Sequence, residues 1–211
     1  MKESMKKEDF LNKLRQNTHF QYDMPKEEIK GIEYEDTFEQ FVRMTETVGG
    51  HVINDVRKDA DLNELVRRAY PDAKVFCSNL KGITLEGLKD GNDSTALELR
   101  NPDTVAEAND LNGTDVAIVQ GTVGVAENGC IWIPQTMKEK ALLFISEYLV
   151  IVLNRKNIVN NMHDAYDRIW MDDRYNFGTF ISGPSKTADI EQSLVMGAQA
   201  ARGVTVVLVD E

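Results

Sequence analysis

The sequence "YLVIVL" at residues 148–153 is an unbroken run of aliphatic and aromatic residues. Because polar and apolar positions do not alternate in it, the run predicts a strand that is covered on both faces. Comparable short runs occur on both sides of it, and each predicts a strand: "HVIND" (51–55), "AKVFCS" (73–78), "DVAIVQ" (115–120), "CIWIP" (130–134), "ALLFIS" (141–146), "FGTFIS" (177–182) and "VTVVLVD" (204–210).

Helical patterns separate many of these runs. Apolar residues recur at helical spacing over residues 36–48 and 62–69, which Gly49-Gly50 and Pro71 end. Two further helices are predicted, one on the stripe Ile158, Met162, Ala165, Tyr166 and Ile169 and one over about 187–199. Residues 79–109 predict a loop with one short helix near 105–108. Alternating helices and buried strands predict a three-layer α/β fold with a mainly parallel sheet.

The N-terminal segment is predicted to be peripheral. Residues 5–16 form a charged helical pattern with Phe10, Leu11 and Leu14 on one side, and a loose connection follows it. A chain of 211 residues lies near the upper range for one compact domain. We therefore expect a peripheral helix and connection at 1–35 and a single α/β domain at 36–211.

Composition excludes several classes of function. A net charge of −11 argues against a nucleic-acid or anionic-membrane partner. No apolar run is long enough to span a membrane and the N-terminus lacks the apolar centre of a signal peptide, so we expect a cytoplasmic protein. Two distant cysteines cannot supply the four thiolates of an iron–sulfur cluster, and the three histidines have no ligand spacing. We expect no metal and no cofactor in this chain.

The stretch "SGPSKTADIE" at residues 182–191 combines a Gly-Pro turn with a lysine between two hydroxyl residues. If a helix follows, its free amides could bind a small anionic ligand, with the lysine as counter-ion. The alternative is a plain junction, in which Ser185 or Thr187 caps the helix. The candidate ligand-binding residues are Gly183, Ser185, Lys186, Thr187 and Asp189.

A second candidate is Glu127, in "GTVGVAENGCIWIP" at residues 121–134. An acid on an Asn-Gly turn could act as a general base or a nucleophile if it faces a pocket, or it could simply be a solvent-facing hairpin acid. Both candidate segments follow predicted strands, and ligands of open α/β sheets bind beyond the carboxyl ends of the strands. We therefore predict that Glu127 and the 183–189 turn line one pocket there.

Two segments together resemble the LUD-domain family, typified by lactate-utilisation protein C. They are "DVAIVQGTVGVAENGCIWI" (115–133) and "ISGPSKTADIEQSLVMGAQAAR" (181–202), and the second carries the family's Gly-Pro-Ser-[Lys/Arg]-Thr-Ala-Asp-Ile-Glu signature. The resemblance implies a fold similar to that of ribose-phosphate isomerases, CoA transferases and 5-formyltetrahydrofolate cyclo-ligase. It also implies a non-iron–sulfur subunit or accessory in L-lactate oxidation to pyruvate, with iron–sulfur clusters only on its partner proteins.

The chain departs from the family pattern at three places. It has Glu127-Asn128-Gly129-Cys130 in place of Glu-Thr-Gly-Thr, it keeps only Glu147 of a Pro-Glu-x-His pattern, and Gly197-Ala198-Gln199-Ala200-Ala201 replaces Gly-Val-His-Gly-Pro. Two family histidines are therefore absent. Two alternatives follow: a CoA-transferase-like enzyme, since Glu127-Asn128-Gly129 resembles the catalytic turn of several CoA transferases, or a catalytically silent ligand-binding partner. Whether this chain itself catalyses a reaction stays open.

Overall fold

The computed structural model describes residues 6–18, 20, 23, 30–54, 61–84, 97–169, 177–187 and 195–210. The chain divides into two compact units, Met1–Lys30 and Gly31–Glu211. In the first unit, helix α1 spans Lys7–Gln16 and leaves Phe10, Leu11 and Leu14 exposed on its surface. No helix in the described ranges is long and apolar enough to cross a membrane.

The second unit contains the remaining elements. Its helices are α2 (Thr37–Thr47), α3 (Leu62–Ala69), α4 (Leu142–Ile145) and α5 (Met162–Arg168), with 3-10 turns at Ala108–Leu111 and Arg155–Asn157. Its strands are β1 (His51–Ile53), β2 (Val75–Cys77), β3 (Glu98–Arg100), β4 (Val116–Gln120), β5 (Val123–Val125), β6 (Ile131–Pro134), β7 (Tyr148–Asn154), β8 (Ile158–Val159), β9 (Gly178–Ile181), β10 (Lys186–Thr187), β11 (Val195–Met196) and β12 (Gly203–Val209).

Six of these strands form a central parallel sheet in the order β1-β12-β7-β4-β2-β3. Side chains of β7 alternate between its faces: Leu149 and Ile151 join the core that contains Phe41 of α2, whereas Val150 joins the core that contains Val66 of α3. Both faces are thus covered, which explains why the strand sequences are continuously apolar. The predicted three-layer α/β fold with a mainly parallel sheet is confirmed; its similarity to the isomerase, transferase and cyclo-ligase group stays a prediction.

A smaller sheet, ordered β8-β5-β6-β9, packs on the α2 side of the central sheet. Its strands β5, β6 and β9 pair antiparallel. Ile131 and Ile133 of β6 face the central core, while Cys130 and Trp132 face the core that contains Ala165 of α5. The runs "CIWIP" and "FGTFIS" are strands as predicted, but they belong to this second sheet.

Four local predictions are corrected. The run "ALLFIS" forms the helix α4 and not a strand; Phe144 is 42% exposed, so the run is not buried on both sides as a central strand would be. The predicted loop at 79–109 contains the edge strand β3, and its short helix is the 3-10 turn Ala108–Leu111. Helix α5 covers only Met162–Arg168, since Ile158 lies in β8. A helix was predicted at 187–199. The residues described on either side of 188–194 form instead the antiparallel pair of β10 and β11.

Candidate functional site

The signature segment lies at the end of the central sheet where its parallel strands begin, which we call the amino-terminal edge. The Ser185 amide donates to the Ala201 carbonyl at 2.9 Å, and the Gly197 amide donates to the Ser185 carbonyl at 2.9 Å. Ala201 precedes the first residue of β12 by two positions. The predicted location beyond the carboxyl ends of the strands is therefore wrong for this segment. Asp189 lies outside the described residues.

The signature packs against the carboxyl end of helix α2. Gly183 has a φ of 65°, and a Cβ at this position would lie 2.5 Å from the Val48 carbonyl oxygen. The Lys186 ammonium donates a hydrogen bond to that same carbonyl. A cation at this end of a helix interacts favourably with the helix dipole. In the described structure, Lys186 therefore caps a helix; its role as a counter-ion for a ligand stays a prediction.

Glu127 is half-buried and binds the beginning of another helix. Its Oε2 accepts a hydrogen bond from the Met162 amide at 3.0 Å, in the first turn of α5. Its own amide donates to the Asn160 carbonyl at 2.9 Å. First-turn amides have no partner within the helix, so this carboxylate stabilises the start of α5. The hypothesis that Glu127 is a nucleophile or base is not tested by this contact.

The two candidate segments are neighbours, but their charged groups bind different elements. The Ser182 hydroxyl donates to the Asn128 carbonyl at 2.9 Å, which joins the signature to the Glu127-Asn128-Gly129 turn. However, Glu127 contacts α5 and Lys186 contacts α2. None of the three cavities described below is lined by either residue.

The strand register brings three charged residues together at the amino-terminal edge. Tyr148 is paired with Val116 on one side and with Gly203 on the other. The residues that precede them are Asp115, Glu147 and Arg202, and they line the same cavity of about 510 Å³. They also line a second cavity of about 320 Å³, together with Tyr70 and Tyr148. This cluster is the candidate functional site.

Arg202 is held from two directions. Its Nη2 lies 2.7 Å from Glu147 Oε1 and 2.5 Å from the Tyr148 hydroxyl, and its Nε donates to that hydroxyl at 3.0 Å. The guanidinium also lies 4.9 Å from the centre of the Tyr148 ring. The hydrogen bond to Tyr148, followed by the charge of Glu147, raises the pKa of Arg202. The guanidinium therefore stays charged at any working pH.

Glycine at position 203 makes this arrangement possible. A Cβ there would lie 2.7 Å from Cδ1 of the Tyr148 ring. The ring therefore occupies space beside the backbone of the neighbouring strand. A larger residue would displace the ring, and with it the hydroxyl that binds Arg202.

Two buried hydroxyls in the wall of the 510 Å³ cavity differ in their bonding. Thr114 and Ser146 are each 2% exposed. The Thr114 hydroxyl donates to the Leu111 carbonyl at 2.7 Å. The Ser146 hydroxyl has no hydrogen-bond partner in the part of the chain that the structure describes. An unpaired buried hydroxyl costs free energy, so Ser146 is suited to bind a polar atom of a ligand.

Asp115 has a structural role at the same edge. Its Oδ2 accepts hydrogen bonds from the amides of Lys74 and Val75, at 2.7 and 2.8 Å, and so orders the beginning of β2.

A third cavity, an open groove of about 880 Å³ along α2, is lined by Glu35, Asp36, Glu39 and Glu46, among others. These four carboxylates outnumber Arg43 of the same groove, so the groove repels an anionic ligand. At the two cavities beside Arg202, Asp115 is bound to backbone amides and Glu147 to the guanidinium, so these cavities are better suited to a small anion.

Four residues of the candidate site were not among those predicted from the sequence: Ser146, Glu147, Tyr148 and Arg202. One signal was present: Glu147 directly precedes the apolar run that became β7, and Arg202 directly precedes Gly203, the first residue of β12. Adjacent parallel strands begin at the same edge, so charged residues at their starts come together. The pattern of apolar runs does not predict the order of the strands, which puts β7 beside β12.

The family model described as LUD domain matches residues 38–209. This chain belongs to the LUD-domain family. The family is associated in general with lactate utilisation. A crystal structure of a DUF162 family protein from Deinococcus radiodurans is similar in fold, with a TM-score of 0.58 and 14% sequence identity. The similarity covers 82% of this LUD-domain chain and 96% of that one. No curated protein matches the chain.

Proposed function

We propose that this LUD-domain protein is a non-iron–sulfur subunit or accessory in the oxidation of a 2-hydroxy acid, L-lactate to pyruvate, in the cytoplasm. We further propose that it binds the carboxylate of the acid at Arg202. The observation that carries this proposal is the charged guanidinium at a cavity, fixed by Glu147 and Tyr148. A planar guanidinium binds a carboxylate through two parallel hydrogen bonds, which also orient it.

The existing contacts of Arg202 leave it able to bind a ligand. Guanidinium carries five N–H donors, and the contacts within the described residues engage only Nε and Nη2. The side chains of Arg202 and Glu147 are 53% and 43% exposed. An exposed ion pair contributes about 0–1 kcal/mol, so a ligand carboxylate can rearrange it at low cost.

Two neighbouring residues fit the other end of a 2-hydroxy acid. The Ser146 hydroxyl needs a hydrogen-bond partner, and the Glu147 carboxylate is an acceptor for the 2-hydroxyl of the bound acid. Glu147 would hold that hydroxyl close to Arg202, whose charge stabilises the carboxylate. These are binding and orienting roles, and the electrons of the oxidation must pass to another protein or cofactor.

We place the iron–sulfur clusters on partner proteins. Cys77 and Cys130 are buried and lie in separate cores. Burial raises the pKa of each thiol to about 12, which disfavours the thiolate form that a cluster ligand requires. The proposed partners are therefore iron–sulfur lactate-utilisation subunits that associate with this chain.

Calorimetric titration of the purified chain with L-lactate and pyruvate tests the binding proposal. Arg202→Gln should weaken binding about 10- to 100-fold, the effect of losing a charge-assisted hydrogen bond of about 1.5–3 kcal/mol. Arg43→Gln, on the surface of α2, is the control and should bind like the wild type. Equal affinity in wild type and Arg202→Gln would show that Arg202 is not the anchor.

Purification of the tagged chain from its native cell extract tests the partner proposal. We expect co-purified protein that contains iron and acid-labile sulfide, together with L-lactate oxidation in the eluate. The isolated chain should lack that activity. Oxidation of lactate by the isolated chain would contradict the accessory role.

A further inference from the structure

We infer that the 510 Å³ cavity binds, more tightly than lactate itself, 2-hydroxy or 2-oxo acids whose apolar chain is longer than the methyl group of lactate. The inference rests on the proposed function, because it takes the carboxylate to be bound at Arg202. It adds the substrate class that the shape and the lining of the cavity favour.

The size of the cavity is the first argument. At about 510 Å³ it lies within the range of about 300–1,000 Å³ that is typical for drug-sized ligands. A three-carbon acid is far smaller than such ligands. Lactate anchored at Arg202 would leave most of the cavity filled with water.

The distribution of side chains is the second argument. The polar groups come from the edge of the central sheet, at Ser146, Glu147 and Arg202. The same cavity is lined by Phe144 of α4 and Met196 of β11, from two separate elements. Each of these apolar side chains is 42% exposed. Exposed apolar side chains that share a cavity with an anion-binding group indicate a ligand with an apolar part.

The loop after β11 keeps the two parts of the cavity together. Ala198 and Ala200 line it, and their small side chains leave space. Gly197 packs so closely on Arg202 that a Cβ there would collide with the arginine. The backbone of Arg202 in turn donates to the Glu147 carbonyl at 2.9 Å. The loop that carries the two alanines and the charged anchor at Arg202 therefore form one continuous wall.

These features predict affinity that rises with chain length. Burial of one methylene group contributes about 0.8 kcal/mol, which corresponds to about fourfold in affinity. Because the cavity is open to solvent, we expect about two- to fourfold for each added methylene. The flexible side chain of methionine adapts to chains of different length, so Met196 favours a range of related acids over a single one.

The test is a calorimetric titration of the full-length protein with straight-chain 2-hydroxy acids, from lactate to 2-hydroxyoctanoate. Phe144→Ala and Met196→Ala are compared with Ile32→Ala, which removes an exposed aliphatic side chain outside the cavity. Circular dichroism establishes that each variant is folded. In the wild type and Ile32→Ala, affinity should rise with each methylene, and the rise should be smaller in the two cavity variants.

The possible outcomes separate this inference from the proposed function. Affinity that is flat or falls with chain length, while Arg202→Gln still weakens binding, overturns the inference and leaves the proposed function standing. A rise that Phe144→Ala and Met196→Ala leave unchanged also overturns it. If no acid in the series binds, lactate included, both the anchor at Arg202 and the inference are wrong.

Discussion

The Ser182 hydroxyl donates a hydrogen bond of 2.9 Å to the carbonyl of Asn128, 54 residues away in the chain. This contact joins the two segments that carry the family resemblance. Around it, Gly183 and Lys186 bind the end of α2, and Ser185 binds the segment that leads into β12. The signature thus connects several elements in the described structure, and its contribution to stability can be measured.

Gly183→Ala should destabilise the protein by more than about 2 kcal/mol. A left-handed residue costs an alanine about 1–2 kcal/mol, and the added Cβ would also lie 2.5 Å from the Val48 oxygen. Gly82→Ala is the matched control, since its φ is 92° but no atom of the described residues lies within 4 Å of its Cβ position. Urea unfolding measures both. Equal losses would show that the contact with Val48 contributes nothing.

Lys186→Ala should lower the free energy of unfolding by about 0.3–1 kcal/mol, the usual contribution of a cation at a helix carboxyl end. Lys81→Ala is the control, because within the described residues its ammonium has no hydrogen bond or ion pair, and it should be neutral. Unfolding curves are then compared with phosphate titrations. Unchanged stability with weaker phosphate binding would favour the counter-ion hypothesis over the helix cap.

Glu127→Ala should cost about 1 kcal/mol of stability, because the Met162 amide loses its acceptor at the start of α5. Glu127→Gln keeps an acceptor oxygen and should cost less. The same variants test the CoA-transferase alternative. After incubation with acyl-CoA, we expect no adduct in the intact mass of the wild type. An adduct that disappears in Glu127→Gln would establish Glu127 as a nucleophile.

Ser146→Ala should leave stability unchanged or raise it by up to about 1 kcal/mol, since it removes a buried hydroxyl without a partner among the described residues. Thr114→Val, in the wall of the same cavity, should instead cost about 1–2 kcal/mol, because its hydroxyl is bonded to Leu111. Thermal unfolding distinguishes the two. A clear loss in Ser146→Ala would mean that its hydroxyl already has a partner, such as an ordered water molecule.

Both cysteines should be unreactive towards iodoacetamide at pH 8 in the folded protein and reactive in urea. Burial raises the pKa of Cys77 and Cys130 from 9.0 to about 12. Their contribution to stability is therefore complete below pH 9 and is lost as the pH rises towards 12. Between those values, the wild type should lose stability faster than the variant with Cys77→Ala and Cys130→Ala. Parallel pH curves would contradict the raised pKa values.

The central sheet could be predicted because its strands are apolar on both faces. "YLVIVL", "DVAIVQ" and "VTVVLVD" all became parallel strands that are covered by helices or by the smaller sheet. The same criterion failed for "ALLFIS", because five adjacent apolar residues do not distinguish a strand from a short helix. Strand β3 has the opposite problem: an edge strand that reads "ELR" carries too little apolar surface to be recognised.

The candidate site could be predicted only in part. The signature was found because its residues are unusual as a sequence, but its position was predicted from the strand before it, which was taken to end at the ligand-binding edge of a parallel sheet. That strand, β9, belongs to the smaller sheet, and Ser185 binds Ala201 just ahead of β12, so the signature lies at the opposite edge of the central sheet. Arg202 and Glu147 are ordinary charged residues in the sequence. Only the order of the strands, which depends on long-range packing, brings them together.

The ring of Tyr148, which fits against Gly203, has a consequence for the recognition of related candidate sites in other chains. The arrangement needs only two dipeptides, Glu147-Tyr148 and Arg202-Gly203. In each of them the second residue is the first residue of a buried strand. A pair of motifs of this kind, "EY" before one apolar run and "RG" before another, can be sought without reference to overall similarity. In such a search the glycine carries as much information as the arginine, because any side chain at the glycine position would occupy the space in which the aromatic ring lies.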